Sequence, residues 1–104
     1  MYDKYYIEQI DSLDDDNVKE KFCDFYDKYR TRFQDIEFYF VEIFGGRRWS
    51  YICGYNFDIS VHPLRIIISK KFGICLHSNK NLTINDRCVQ ELLNLLRNYF
   101  LENS

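Results

Sequence analysis

The hydrophobic spacing of this chain changes twice, and that change narrows the folds open to it. Between Asp14 and Phe33 the apolar residues Val18, Phe22, Phe25, Tyr26, Tyr29 and Phe33 recur mostly at intervals of three and four. That spacing draws one stripe along a helix. From Ile36 to Tyr55 the interval falls to two, the period of a strand with one buried face. From Ile84 to about Leu101 the longer interval returns, through Cys88, Val89, Leu92, Leu93, Leu96, Tyr99 and Phe100. A helix, a run of strands and a second helix predict an α+β domain. The expected sheet is antiparallel, of about four strands in two hairpins, packed against an N-terminal and a C-terminal helix.

The first hairpin joins Ile36–Phe44 to Arg48–Tyr55 through Gly45-Gly46, two residues that accept positive φ. With a loop of two or four residues, Trp49, Tyr51, Cys53, Tyr55 and Phe57 share a face with Ile36, Phe38, Phe40 and Phe44. This face is the expected core, and the alternation runs on through Ile59 and Val61. Glu42 falls on it near Trp49 or Tyr51 and needs a partner, Arg47 or a tyrosine hydroxyl. Pro63 ends the stretch, because it has no amide to give to a ladder. Leu64–Ser69 and Phe72–His77 form the second hairpin around Lys70-Lys71. Ile66-Ile67-Ile68 is apolar on both faces and belongs inside the sheet.

Local signals set the helix ends. Ser12 with Asp15 reads as a capping pair for the first helix, and Thr83 with Asp86 as one for the last. Asp14, Asp15 and Asp16 suit the positive end of a helix dipole, and Lys28, Arg30 and Arg32 the negative end. Met1–Ile10 fits a short helix or an edge strand equally well.

One hundred and four residues, 46% hydrophobic and 18% aromatic, predict a single domain with enough apolar surface to fold without a metal or a disulfide. Asp3, Lys4 and Glu8 interrupt Met1–Ile10, so no secretory leader is expected there. Cys23, Cys53, Cys75 and Cys88 are then expected as reduced thiols in a cytoplasmic setting. A net charge of −2 argues against direct nucleic-acid binding. The charge is unevenly placed: residues 1–44 hold twelve acids and six bases, residues 45–104 eight bases and four acids.

Catalytic and metal-binding patterns are thin. Cys75 and His77 share a strand face, but His62, Cys53, Cys23 and Cys88 sit on other elements without ligand spacing. Neither Cys75 nor Cys88 has the setting of an activated thiolate; Cys88 lies on the apolar stripe, where burial is expected. His62 and His77, with Arg47 or Lys70 as a phosphate clamp, form the alternative constellation of a small nuclease or hydrolase. No phosphate loop, dinucleotide motif or other cofactor pattern occurs, and Asn81-Leu82-Thr83 matches a glycosylation sequon in form only.

Two surface features point to binding. Asp16, Glu20, Asp24 and Asp27 follow helical spacing opposite the apolar stripe, with Asp11, Asp14 and Asp15 extending the acidic run. At the hairpin tip, Arg47, Arg48 and Trp49 are residue types enriched at interface hot spots, although Trp49 is expected to pack inward. In length, acidity and composition the chain is similar in style to small bacterial immunity proteins, antitoxins and phage-encoded inhibitors. This likeness covers composition alone. It implies a non-enzymatic protein that neutralises or masks a basic toxin or nuclease; a homodimeric structural subunit is the remaining alternative.

Overall fold

The computed structural model describes residues 2–56 and 62–102. The elements run β1 (Asp3–Lys4), α1 (Glu8–Asp11), α2 (Asp15–Tyr29), β2 (Glu37–Phe44), β3 (Arg48–Gly54), β4 (Leu64–Ile67), β5 (Phe72–His77) and α3 (Arg87–Glu102). The strands make one sheet in the order β1-β4-β5-β2-β3. Both expected hairpins are present, β2 with β3 and β4 with β5, and β2 joins β5 antiparallel. The architecture is α+β, with five strands rather than four. The extra strand is β1, which pairs parallel with β4 and makes the sheet mixed.

The ambiguity of the first ten residues resolves into both options. After β1, the Tyr5 and Ile7 amides donate to the carbonyls of Ile67 and Ile68. The chain then turns into α1, which buries Ile7 and Ile10. Ser12 belongs to the end of this turn, where its hydroxyl donates to the Gln9 carbonyl; it does not cap α2. Asp14 is the residue preceding α2, and the Asn17 side-chain amide donates to its carboxylate. Thr83 and Asp86 do pair, the Thr83 amide donating to Asp86 Oδ2 at 2.8 Å. They close a turn ahead of α3, which starts at Arg87 rather than Ile84, so Thr83 does not cap it.

One core lies between the sheet and the helices. Ile10 of α1, Val18, Phe22 and Phe25 of α2, and Val89, Leu92, Leu93, Leu96 and Phe100 of α3 meet Phe38, Phe40, Ile66, Phe72, Ile74 and Leu76 of the sheet. The Phe22 ring stacks on Phe40 with centroids 4.2 Å apart, while Phe72 and Phe100 meet it edge-on. The opposite sheet face carries a smaller cluster of Val41, Ile43 and Cys75, with Tyr39, Trp49 and Ile67 against it. Ile66 and Ile68 serve the main core and Ile67 the second cluster, as the doubly apolar run requires. Cys88 departs from its expected place. It is exposed, one residue off the buried stripe that starts at Val89.

The β2–β3 hairpin also differs from the expected register. Phe44 pairs with Arg48, so the loop is Gly45-Gly46-Arg47, three residues long, with φ of 60° and 72° at the glycines. An odd loop flips the face of every residue after it. Trp49 and Tyr51 therefore pair with Ile43 and Val41 on the face away from the helices, not with Phe38 and Phe40. An irregularity then restores the parity: Val41 pairs with Tyr51 but Phe40 with Cys53, leaving Ile52 as the extra residue. Cys53 reaches the main core as expected, whereas Tyr51, Tyr55 and Phe44 are each about half exposed. Phe57, Ile59 and Val61 lie outside the described residues.

Gly54 closes this strand at φ 119°, where a Cβ would stand 2.6 Å from both the Phe38 carbonyl oxygen and Tyr39 Cα. Both obstacles are backbone and cannot swing away. Gly54→Ala is expected to cost about 2 kcal/mol or more in a urea unfolding experiment, by combined clash and backbone strain. A loss below about 0.5 kcal/mol, the usual range for surface changes, would contradict this strand end.

Candidate functional site

The outer face of α2 carries Asp16, Glu20, Asp24 and Asp27, and all four are exposed. The amphipathic spacing sets this outcome, because Val18, Phe22 and Phe25 are fully buried on the other side. The nearby lysines do not neutralise the stripe with ion pairs. Lys19 reaches across to the sheet and meets Glu42 at 2.8 Å, and Lys71 pairs with Asp15 at 3.2 Å. Lys28 lies over the Tyr29 ring, 5.3 Å from its centroid. Among the described residues, none of the four stripe carboxylates takes part in an ion pair. The proposed extension behaves differently. Asp14 accepts from Asn17, Asp15 from Lys71 and Asp11 from the Lys70 amide, so these three acids serve the fold.

Glu42 does stand on the helix-facing side, but its partner is Lys19, not Arg47 or a tyrosine. Its strand neighbours are Ser50 and Phe72 rather than Trp49 or Tyr51. The pair holds the Lys19 ammonium above the ordinary lysine range, chiefly through the hydrogen bond to Glu42.

Trp49 leaves the main core for the open sheet face. Its indole sits over Gly73, where a Cβ would meet Trp49 Cζ3 at 2.9 Å. The Tyr2 ring packs on it at 4.8 Å, and the Arg65 guanidinium lies 5.9 Å from both rings. The indole Nε1 is buried without a hydrogen-bond partner among the described residues. Beside it, Tyr39 hydrogen-bonds Cys75, its cross-strand neighbour. Burial pushes the Tyr39 hydroxyl up to about 12 and the Cys75 thiol up to about 11. This second aromatic cluster escaped the sequence reading; Arg65 between Leu64 and Ile66 was its one visible sign. Arg47 and Arg48 remain exposed at the hairpin tip.

The two histidines come together. His62 and His77 line one hollow of about 430 Å³ with Pro63, Asn79, Lys80 and Asn81. The cations named beside them do not. Arg47 and Lys70 lie in turns at the other end of the sheet, past Phe44 and Phe72. Lys80 is the cation that lines this hollow. A broader polar hollow of about 860 Å³ adjoins it, lined by Asp35, Glu37, Asp86, Arg87, Cys88 and Glu91 among others. Among the described residues no three His, Cys, Asp or Glu side chains gather as metal ligands. Cys23 and Cys53 are neighbours across α2 and β3, and burial raises the Cys53 thiol well above the usual thiol range. No described helix is long and apolar enough to cross a membrane.

The raised Cys75 and Tyr39 values fix a pH dependence. Both groups ionise earlier in the unfolded chain, near 9.0 and 10.0, than in the folded one. Their stabilisation is complete below those values and is lost as pH rises toward about 11 and about 12. Urea midpoints are expected to fall progressively above pH 9.0, and Cys75→Val is expected to flatten the early part of the fall. A midpoint that stays level across this range would contradict the packing of the open face. Compared with models of known protein families, with curated proteins and with solved structures, the chain matches none.

Proposed function

We propose that this chain is a non-enzymatic protein-binding module that masks a basic partner through the outer face of α2. The observation that carries this reading is the unpaired stripe of Asp16, Glu20, Asp24 and Asp27. Like charges at helical spacing each cost a few tenths of a kcal/mol. With Lys19 drawn to Glu42, a partner's lysines and arginines are the natural source of compensation. A toxin or nuclease with a basic active site has the matching charge, in the manner of an immunity protein or antitoxin. Electrostatic steering makes such an encounter fast and sensitive to salt. A cytoplasmic setting agrees with this role and keeps the four cysteines as thiols. Arg47 and Arg48 extend the binding surface at the hairpin tip, while Trp49 belongs to the open sheet face.

The test is capture of the partner from extracts of the native host, followed by joint reversal of Glu20→Lys and Asp24→Lys. The reversal is expected to weaken the captured complex at least tenfold and to flatten the salt dependence of its on-rate. Unchanged affinity would remove α2 from the interface. One observation favours a second reading: His62, His77 and Lys80 line a single hollow, as an acid–base pair beside a phosphate clamp would. Cleavage of RNA or DNA by the purified protein, lost in His62→Ala or His77→Ala, would put a nuclease in first place.

A further inference from the structure

We infer that the hollow beside His77 binds a phosphate group, free or carried as the monoester of a small molecule. The hollow follows from how the second hairpin ends. Leu64 pairs with Leu76 across β4 and β5, and continuing that register brings residues 62 and 63 alongside residues 77 and 78. Pro63 has no amide with which to extend the ladder, so the two strands part there. His62 and His77 are left flanking a space of about 430 Å³, within the range of small-molecule pockets.

The lining selects the sign of the ligand. His62, His77 and Lys80 bring nitrogen donors that carry or can gain positive charge, and Asn79 and Asn81 add neutral carboxamides. Among the described residues no carboxylate lines this hollow. Glu37, the cross-strand mate of His77, lines the adjoining hollow instead. There Asp86 accepts from the Thr83 amide, and Glu91 pairs with Arg87 at 3.5 Å. The Lys80 backbone is fixed by its own turn. Its amide donates to Ser78 Oγ, and the Ser78 hydroxyl donates to the Lys80 carbonyl, each at 3.1 Å. Three such donors match the three non-ester oxygens of a phosphate monoester better than the two oxygens of a carboxylate. Pro63, Leu64 and Leu82 complete the lining with apolar surface, which suits the organic part of an ester.

The backbone at His62 is a second, independent sign. Its φ is 54°, and it is the one non-glycine residue with positive φ among the described residues. An L-residue is strained there, and a residue before proline is restricted further. Packing does not explain the strain, because His62 is exposed. A strained residue that carries an imidazole into a hollow points to a ligand. None of Asp16, Glu20, Asp24 and Asp27 lines the hollow, so the inference stands apart from the α2 surface. It shares residues with the nuclease reading but requires no bond to be cleaved, so binding without turnover supports it alone.

Titration of the purified full chain with adenosine monophosphate, inorganic phosphate and adenosine, followed by NMR, tests the inference. Adenosine monophosphate is expected to shift His62, His77 and residues 78–82 saturably, with a dissociation constant below about 1 mM. Inorganic phosphate is expected to shift the same resonances, and adenosine to leave them in place. Tighter binding of the nucleotide identifies the monoester as the ligand; tighter binding of phosphate identifies the free anion. Lys80→Gln is expected to weaken binding at least fivefold. His62→Gly is expected to do the same while the urea midpoint stays level or rises, because glycine accepts a φ of 54°. Both residues are exposed, so neither change threatens the fold. The absence of saturable shifts with both phosphates, an equal response to adenosine, or binding indifferent to both variants would overturn the proposal. A His62→Gly variant that loses stability but keeps its ligand would do so too.

Discussion

The stack of Phe22 on Phe40 fixes the relation between the helix layer and the sheet. Phe22 lies midway along α2 and Phe40 midway along β2, and both are fully buried. Phe25, Phe38, Phe72 and Phe100 close around them at edge-on angles, the geometry that aromatic quadrupoles favour. A helix held by this contact has no freedom to rotate about its axis. One flank is committed to the sheet, Lys19 and Tyr26 meeting Glu42 and Phe38 of β2 and Cys23 meeting Cys53 of β3, and the face opposite Phe22 is committed to solvent. The acidic stripe is outward because the aromatic stripe is inward.

The same contact explains the role of Glu42. A carboxylate on the helix-facing side of a sheet is costly unless it is paired. Lys19 sits two turns before Tyr26 on the flank nearest β3, and its ammonium reaches Glu42. The ion pair is partly solvated and its direct contribution is on the order of 1 kcal/mol or less. The pair also turns the Lys19 ammonium toward the sheet, where it still acts on Asp16 and Asp15 through space but makes its ion pair with Glu42.

Much of this was legible in the residues themselves. Apolar residues at intervals of three and four located α2 and α3, and alternation located both hairpins, because burial of one face imposes those periods directly. Parity across the first hairpin was not legible. Gly45-Gly46 marks a turn but does not say whether Arg47 belongs to it, and a single residue decides which face Trp49 takes. The irregularity at Ile52 then cancels the flip, so Cys53 agreed with expectation while Trp49 and Tyr51 did not. β1 spans two residues, too few to show a period. Of the candidate site, the four carboxylates were visible from spacing alone. Their lack of counterions was not, because the Lys19–Glu42 contact joins residues distant in sequence. Proximity of His62 and His77 was conceivable from strand order, but the presence of Lys80 beside them depends on how the 78–82 loop folds back.

Under the proposed function α2 is the surface that binds the partner, and the hollow beside His77 takes no part. Carboxyl footprinting with a water-soluble carbodiimide, read residue by residue in the free chain and in its captured complex, tests that division directly. Asp16, Glu20, Asp24 and Asp27 are predicted to react readily in the free chain and to be protected in the complex, while Asp86 and Glu91 react alike in both. Equal reactivity of the α2 carboxylates in the two states, with protection instead at Asp86 and Glu91, would contradict it.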